Sequence, residues 1–133
     1  MDRTFLTVGS IAGFLGVALG AFGAHALKGR IEPEMLAVYQ TGVEYHLVHA
    51  VALLVVALRA APPAPYAARM AGWLFTAGIV LFSFSLYALA TTGIRALGAI
   101  TPLGGVAFLG AWGALGWSAR RRSGKNATLP LPT

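Results

Sequence analysis

The stretch from Gln40 to Leu58 reads Gln-Thr-Gly-Val-Glu-Tyr-His-Leu-Val-His and then runs wholly apolar from Ala50 to Leu58, with no helix breaker between the two parts. The apolar part alone is too short to cross a hydrocarbon core, which takes roughly 20 residues of helix at about 1.5 Å each. Counted back from Arg59, the crossing has to begin near Gln40, and Glu44 is carried into the membrane with it. Ionisable groups at that depth are expensive and usually face a bundle interior or a wet cavity. The rest of the chain must supply that interior.

Of 133 residues, 57% are hydrophobic and 11% charged, with a mean hydropathy of +0.72, which marks an integral membrane protein. Three more segments pass the length test, Phe5 to Leu27, Met70 to Thr91 and Leu97 to Trp117, giving spans over 5–27, 40–58, 70–91 and 97–117 and a basic tail over 118–133. The short connections predict one all-α domain, an antiparallel four-helix bundle in the membrane. The absence of cysteine excludes disulfides, thiolate nucleophiles and Cys-type metal centres. The net charge of +6 does not point to nucleic acid, because Arg120, Arg121, Arg122 and Lys125 directly follow a span. Such juxtamembrane charge holds the cytoplasmic side and attracts anionic lipid.

An apolar run longer than a signal-peptide core predicts that the first segment is a retained helix. It carries Gly9, Gly13, Gly16, Gly20 and Gly23 at alternating four- and three-residue spacing. That stripe predicts a packing seam, since small residues let another helix approach closely in lipid. Glu32-Pro33-Glu34 opens the second helix, with Pro in the first turn and acids at its positive end. On the third, Thr76, Ser83 and Tyr87 share a face, seven and four residues apart, and Ser85 points the other way. Seven basic residues lie on the side of the termini (Arg3, Arg59, Arg69, Arg120, Arg121, Arg122, Lys125) against three on the other (Lys28, Arg30, Arg95), predicting that both termini are cytoplasmic.

Four blocks occur in order: Ala18-Leu-Gly-Ala-Phe-Gly-Ala-His25; Tyr39-Gln-Thr-Gly-Val-Glu-Tyr45 with His49; Leu81-Phe-Ser-Phe-Ser-Leu-Tyr87; and Thr101-Pro-Leu-Gly-Gly-Val106 leading to Trp112. From about Phe5 to Trp117 the chain resembles the small bacterial and mitochondrial membrane proteins grouped as domain of unknown function 423, which include the transmembrane protein 256-like proteins. The resemblance implies a four-helix fold in a bacterial inner membrane and brings no chemistry with it. Phe84 stands where the family's third block usually has glycine.

The candidate site is a polar cluster made of His25, Gln40, Thr41, Glu44, Tyr45, His46, His49, Ser83, Tyr87 and Thr101. Gln40, Thr41 and Glu44 share one face of the second helix, while His46 and His49 lie roughly 140° or more round from Glu44. Glu44 therefore needs a partner from another helix, and His25, Tyr87 and Thr101 are expected in that order. His46-x-x-His49 has a spacing that can offer two imidazoles to a metal, and His49 or His25 can ligate haem, but further ligands are wanting, so neither metal nor cofactor is expected. No nucleophile, base and orienting group come together, and no catalytic residue is assigned. The polar groups concentrate in the outer half, whereas the cytoplasmic half offers Thr7, Ser10 and Thr76 against Leu53, Leu54, Val55 and Val56. A transport path needs polarity on both sides. The reading is therefore an accessory, scaffold or binding protein. The alternative is a small permease or proton-coupled carrier using Glu44 and the histidines. The partners implied are the lipid bilayer, anionic lipid at the tail, and a second copy or a membrane complex.

Overall fold

The computed structural model describes residues 1–61 and 65–126, with side chains as far as Arg120. The described residues form four helices, each long and apolar enough to cross a membrane, and contain no strand. Helix α1 runs Arg3–Leu27, its start capped by the Asp2 carboxylate accepting the Thr4 N–H at 2.9 Å and its last turn, Gly23–Leu27, widened to five residues. Helix α2, Pro33–Arg59, opens with proline and Glu34 in its first turn. Helix α3, Tyr66–Thr92, passes through a second widened turn at Ile79–Ser83 and stops at Gly93, whose φ of 72° suits only a residue without Cβ. Helix α4 begins as a tight turn at Arg95–Ala99 and continues from Thr101 to Asn126.

Successive helices pack against one another, α1 on α2, α2 on α3 and α3 on α4. Large side chains also join α1 to α3, Phe5 against Trp73, and α4 to α2, Trp112 against His49. The cross-section is a lozenge with α2 and α3 on its short diagonal. Accordingly 44% of the apolar window is buried in each of α2 and α3, against 22% in α1 and 17% in α4.

Close approach is set by glycine. A Cβ at Gly9 would lie 3.1 Å from Leu53 Cβ, at Gly16 2.7 Å from Leu47, at Gly20 3.1 Å from Val43 and at Gly23 2.6 Å from the Tyr39 ring, so four of the five α1 glycines face α2. Gly13 departs from the predicted seam: nothing stands within 4 Å of its Cβ position. Between α3 and α4 the contact is tighter, with Gly104 directly on the backbone of Phe82. A larger apolar core (Phe5, Leu53, Val56, Phe75, Phe108, Ala111) fills the half nearer the termini, and a smaller one (Leu27, Tyr39, Tyr87, Ala90) fills the half nearer the two inter-helix turns at 28–32 and 93–94.

Candidate functional site

Between those two cores lies a layer of histidines. On α2, Tyr39, Gly42, His46 and His49 recur at the three- and four-residue spacing of one helix face, and that face is the buried one. His49 has a defined tautomer. An indole N–H only donates, so the 3.2 Å contact from Trp112 Nε1 makes His49 Nε2 the acceptor, and Nδ1 carries the proton it gives to the Tyr45 carbonyl at 2.6 Å. The ring stacks on Phe108 at 3.5 Å between centroids and 8° between planes. His46, only 1% exposed, has its Nδ1 3.1 Å from the Tyr87 hydroxyl on α3. Tyr39 donates from its hydroxyl to the Leu19 carbonyl at 2.8 Å, and its ring lies 4.8 Å from that of Tyr87. Gly42 makes room for these rings: a Cβ there would meet Tyr87 at 2.9 Å and the Ser83 carbonyl at 3.2 Å.

On α3 a widened turn stands at Ile79–Ser83, and the helix has α2 on one side and α4 on the other. Ser83, Ser85, Leu86 and Tyr87 are therefore all buried, and Ser85, read from the sequence as pointing away from Ser83 and Tyr87, turns toward α4, where its hydroxyl lies 2.8 Å from that of Thr101. Ser83 is fully buried, and its hydroxyl has no partner among the described residues. Thr76 returns its hydroxyl to the Gly72 carbonyl of its own helix.

The carboxyl does not join this network, and the expected pairing of Glu44 with His25, Tyr87 or Thr101 is corrected. Glu44 lies two residues from Gly42 and two from His46, about 200° round the helix from each, and is exposed on the outward side of α2. The side-chain hydrogen bonds of α2 come from Tyr39, Thr41, His46 and His49 and none from Gln40 or Glu44, among the described residues. Depth separates His25 as well. Because Gly20 faces Val43 and Gly23 faces Tyr39, the level of Glu44 on α1 is near Leu19, six residues and about 9 Å deeper than His25. His25, Gln40 and Thr41 are exposed, Thr41 bonding its own helix at Ala37, and Tyr45 is 42% exposed with its ring on Phe82. The structure thus divides the predicted cluster in two. His46, His49, Ser83 and Tyr87 are buried together and Thr101 borders them, while His25, Gln40, Thr41 and Glu44 face outward.

Sequence reasoning missed three contributors to the buried layer, namely Trp112, Phe108 and Ser85. Trp112 had a signal, since a tryptophan placed well inside a span needs a partner for its N–H when it is covered. Phe84, 42% exposed, sets its ring 5.7 Å from His46 and forms one wall of a groove of about 270 Å³ between α1 and α3. Apart from His46 and Thr76, apolar side chains such as Ile11, Leu15, Ile79 and Val80 line that groove. No set of three histidine or acidic side chains stands close enough to hold a metal among the described residues. The layer is an interlocked set of rings whose nitrogens and hydroxyls bond to each other or to backbone carbonyls.

Residues 19–105 match the profile of a family described as a protein of unknown function, DUF423. The chain belongs to that family. It is 53% identical over 111 residues to the UPF0382 membrane protein YwdK of Bacillus subtilis, covering 83% of this chain and 90% of that one. A UPF0382 membrane protein of Haemophilus influenzae is 42% identical over 120 residues, covering 90% and 95%. One of Staphylococcus haemolyticus, SH2409, is 38% identical over 110 residues, covering 83% and 89%. No solved structure matches the chain.

Proposed function

We propose that this membrane protein is an accessory or scaffold component that acts by association within the bilayer and performs neither transport nor catalysis. The observation that carries the reading is the closure of the half nearer the termini. Below the histidine layer Leu53, Val56, Ala57, Ala68, Ala71 and Phe75 are each 0% exposed and wholly apolar, which leaves an ion or polar solute no path across. The histidines support the same reading, because a group already bonded to Tyr87 or Trp112 is a cross-brace between helices before it is a carrier.

In this reading the membrane is a bacterial inner membrane, both termini are cytoplasmic, and the basic tail lies against anionic lipid. The basic asymmetry supports that placement. Arg120 is exposed, while the side chains of Arg121, Arg122 and Lys125 lie outside the described residues. The partners are lipid and a second copy or a larger membrane complex. The test is twofold: extraction from native membranes in mild detergent should recover the protein in an assembly larger than one chain. Proteoliposomes should show no counterflow of protons, sodium or small amines above protein-free vesicles. Saturable counterflow, abolished by Glu44→Gln, would overturn the proposal in favour of a carrier.

A further inference from the structure

Glu44 is left with an unfavourable environment that one copy of the chain does not relieve. Helix α2 rises about 40 Å, some 10 Å more than the hydrocarbon thickness, so about 5 Å projects at each end if it is centred. Glu44 comes eleven residues, about 16 Å, after Pro33 and so lies about 10 Å inside. There it stands on an outward ridge with Gln40, Val48, Val51 and Val55, the three valines 57%, 61% and 44% exposed. Such groups nearly always face protein or a wet cavity. A hollow flanks the ridge on each side at this level. One, of about 190 Å³, is floored by Gly20, Gly23 and Ala24 of α1, and the other, of about 170 Å³, lies by Tyr45 and His49.

We infer that a second copy of the chain covers this ridge, related to the first by a twofold axis along the membrane normal. That symmetry brings every residue to its own depth in the partner. The ridge already holds both halves of a hydrogen-bonded pair: the Gln40 amide N–H₂ donates, the Glu44 carboxyl accepts, and the two sit four residues apart on one face. The twofold places each Gln40 and each Glu44 level with its own counterpart, about 6 Å apart along the helix, and both side chains are long enough for each Gln40 amide to reach diagonally to the Glu44 carboxyl of the other copy, so that donor meets acceptor twice. A foreign helix would have to bring its own polar group to the same depth, whereas a second copy does so by construction. The outward face of α4, by contrast, exposes Leu103, Val106 and Leu109 and no polar group at that level. Thr41 is not needed, since its hydroxyl is bonded to Ala37. The valines continue the contact toward the termini, and the glycine-floored hollow admits side chains of the opposite copy.

The inference deepens the association reading by naming the partner, and its test separates the two. Since the chain has no cysteine, Val48→Cys and Val106→Cys report the two faces cleanly in liposomes holding the full chain. Val48→Cys should cross-link between copies with a short bis-maleimide, and Val106→Cys should not. By single-molecule photobleaching over a range of protein-to-lipid ratios, Glu44→Leu should weaken dimerisation about tenfold or more, as two interhelical hydrogen bonds are lost. Glu44→Gln, which keeps the hydrogen-bonding group, should stay within about threefold. The thermal stability of detergent-solubilised Glu44→Leu should equal or exceed that of the parent, showing that the fold survives. Monomers at every ratio, cross-linking at Val106 in place of Val48, or undiminished dimerisation of Glu44→Leu would each overturn the inference. A chain monomeric in liposomes yet recovered in a large complex from native membranes would defeat it and leave the association reading standing. A dimer that carries out counterflow would do the reverse.

Discussion

Removing one oxygen, by Tyr87→Phe, tests the histidine layer most directly. The ring stays, and with it the contacts to Tyr39 and Phe84, while His46 Nδ1 loses a hydrogen bond of 3.1 Å. Two generalisations compete over the magnitude. Leaving a buried polar atom unpaired costs about 1–3 kcal/mol in proteins at large, whereas interhelical hydrogen bonds in membranes average about 0.6 and reach about 1.7 kcal/mol. The lower membrane figure arises because released groups find other partners. His46 is 1% exposed and Tyr87 7%, so neither water nor a lipid headgroup reaches the vacated position. The expected loss is therefore near the top of the membrane range, about 1.5 kcal/mol. Trp112→Phe removes the corresponding bond to His49, but Trp112 is 47% exposed, and the expected loss is about 0.6 kcal/mol. Reversible unfolding in mixed micelles, following tryptophan fluorescence for Tyr87→Phe and helicity for both, measures the two. A cycle with His46→Leu should return most of the Tyr87→Phe effect as coupling. If Tyr87→Phe falls within about 0.5 kcal/mol of the parent, or costs less than Trp112→Phe, the argument from burial is wrong.

Gly104→Ala should destabilise by about 1–3 kcal/mol, because its Cβ would land on the backbone of Phe82, whereas Gly13→Ala, with open space around it, should change stability by less than about 0.5 kcal/mol. Equal effects in the same unfolding assay would contradict the helix spacing described above. Ser83→Ala should be neutral or stabilise by up to about 1 kcal/mol, since the hydroxyl is buried without a partner; a loss larger than that would show that the hydroxyl holds something in place. For the topology, an impermeant thiol reagent applied to intact cells should label Thr92→Cys and spare Ser123→Cys, and the opposite pattern would invert the proposed orientation.

Much of this architecture could be read from the residues because the bilayer fixes lengths and leaves few folds open: four apolar runs, glycine-marked turns and Pro33 at a helix start were all legible. The site was legible only in part. Helical periodicity correctly placed Glu44 and the histidines on different faces but did not say which face turns inward. The cost of a carboxyl in lipid argued for Glu44, yet Tyr39, Gly42, His46 and His49 share a face with shape and bonding complementary to Tyr87, Phe108 and Trp112, and that face took the interior. Ser85 was passed over for a different reason. The two-residue step does turn it away from Tyr87, but α3 lies between α2 and α4, so the side it turns to is also an interior one.

The distribution of these contacts also has a temporal side. The turns at 28–32 and 93–94 make the molecule two helical hairpins, α1 with α2 and α3 with α4. The contacts of Gly9, Gly16, Gly20 and Gly104, and the bond from Tyr39 to Leu19, lie within a hairpin, whereas His46 to Tyr87 and His49 to Trp112 run from one hairpin to the other. During synthesis the first hairpin can close on its glycines as soon as α2 has entered the bilayer, but His46 and His49 then face lipid without Tyr87 and Trp112. They remain so until α3 and α4 follow. For that interval the chain is a half-built protein with sticky imidazoles on one side, and the delay before Tyr87 and Trp112 arrive sets how long it is open to capture by the wrong neighbour.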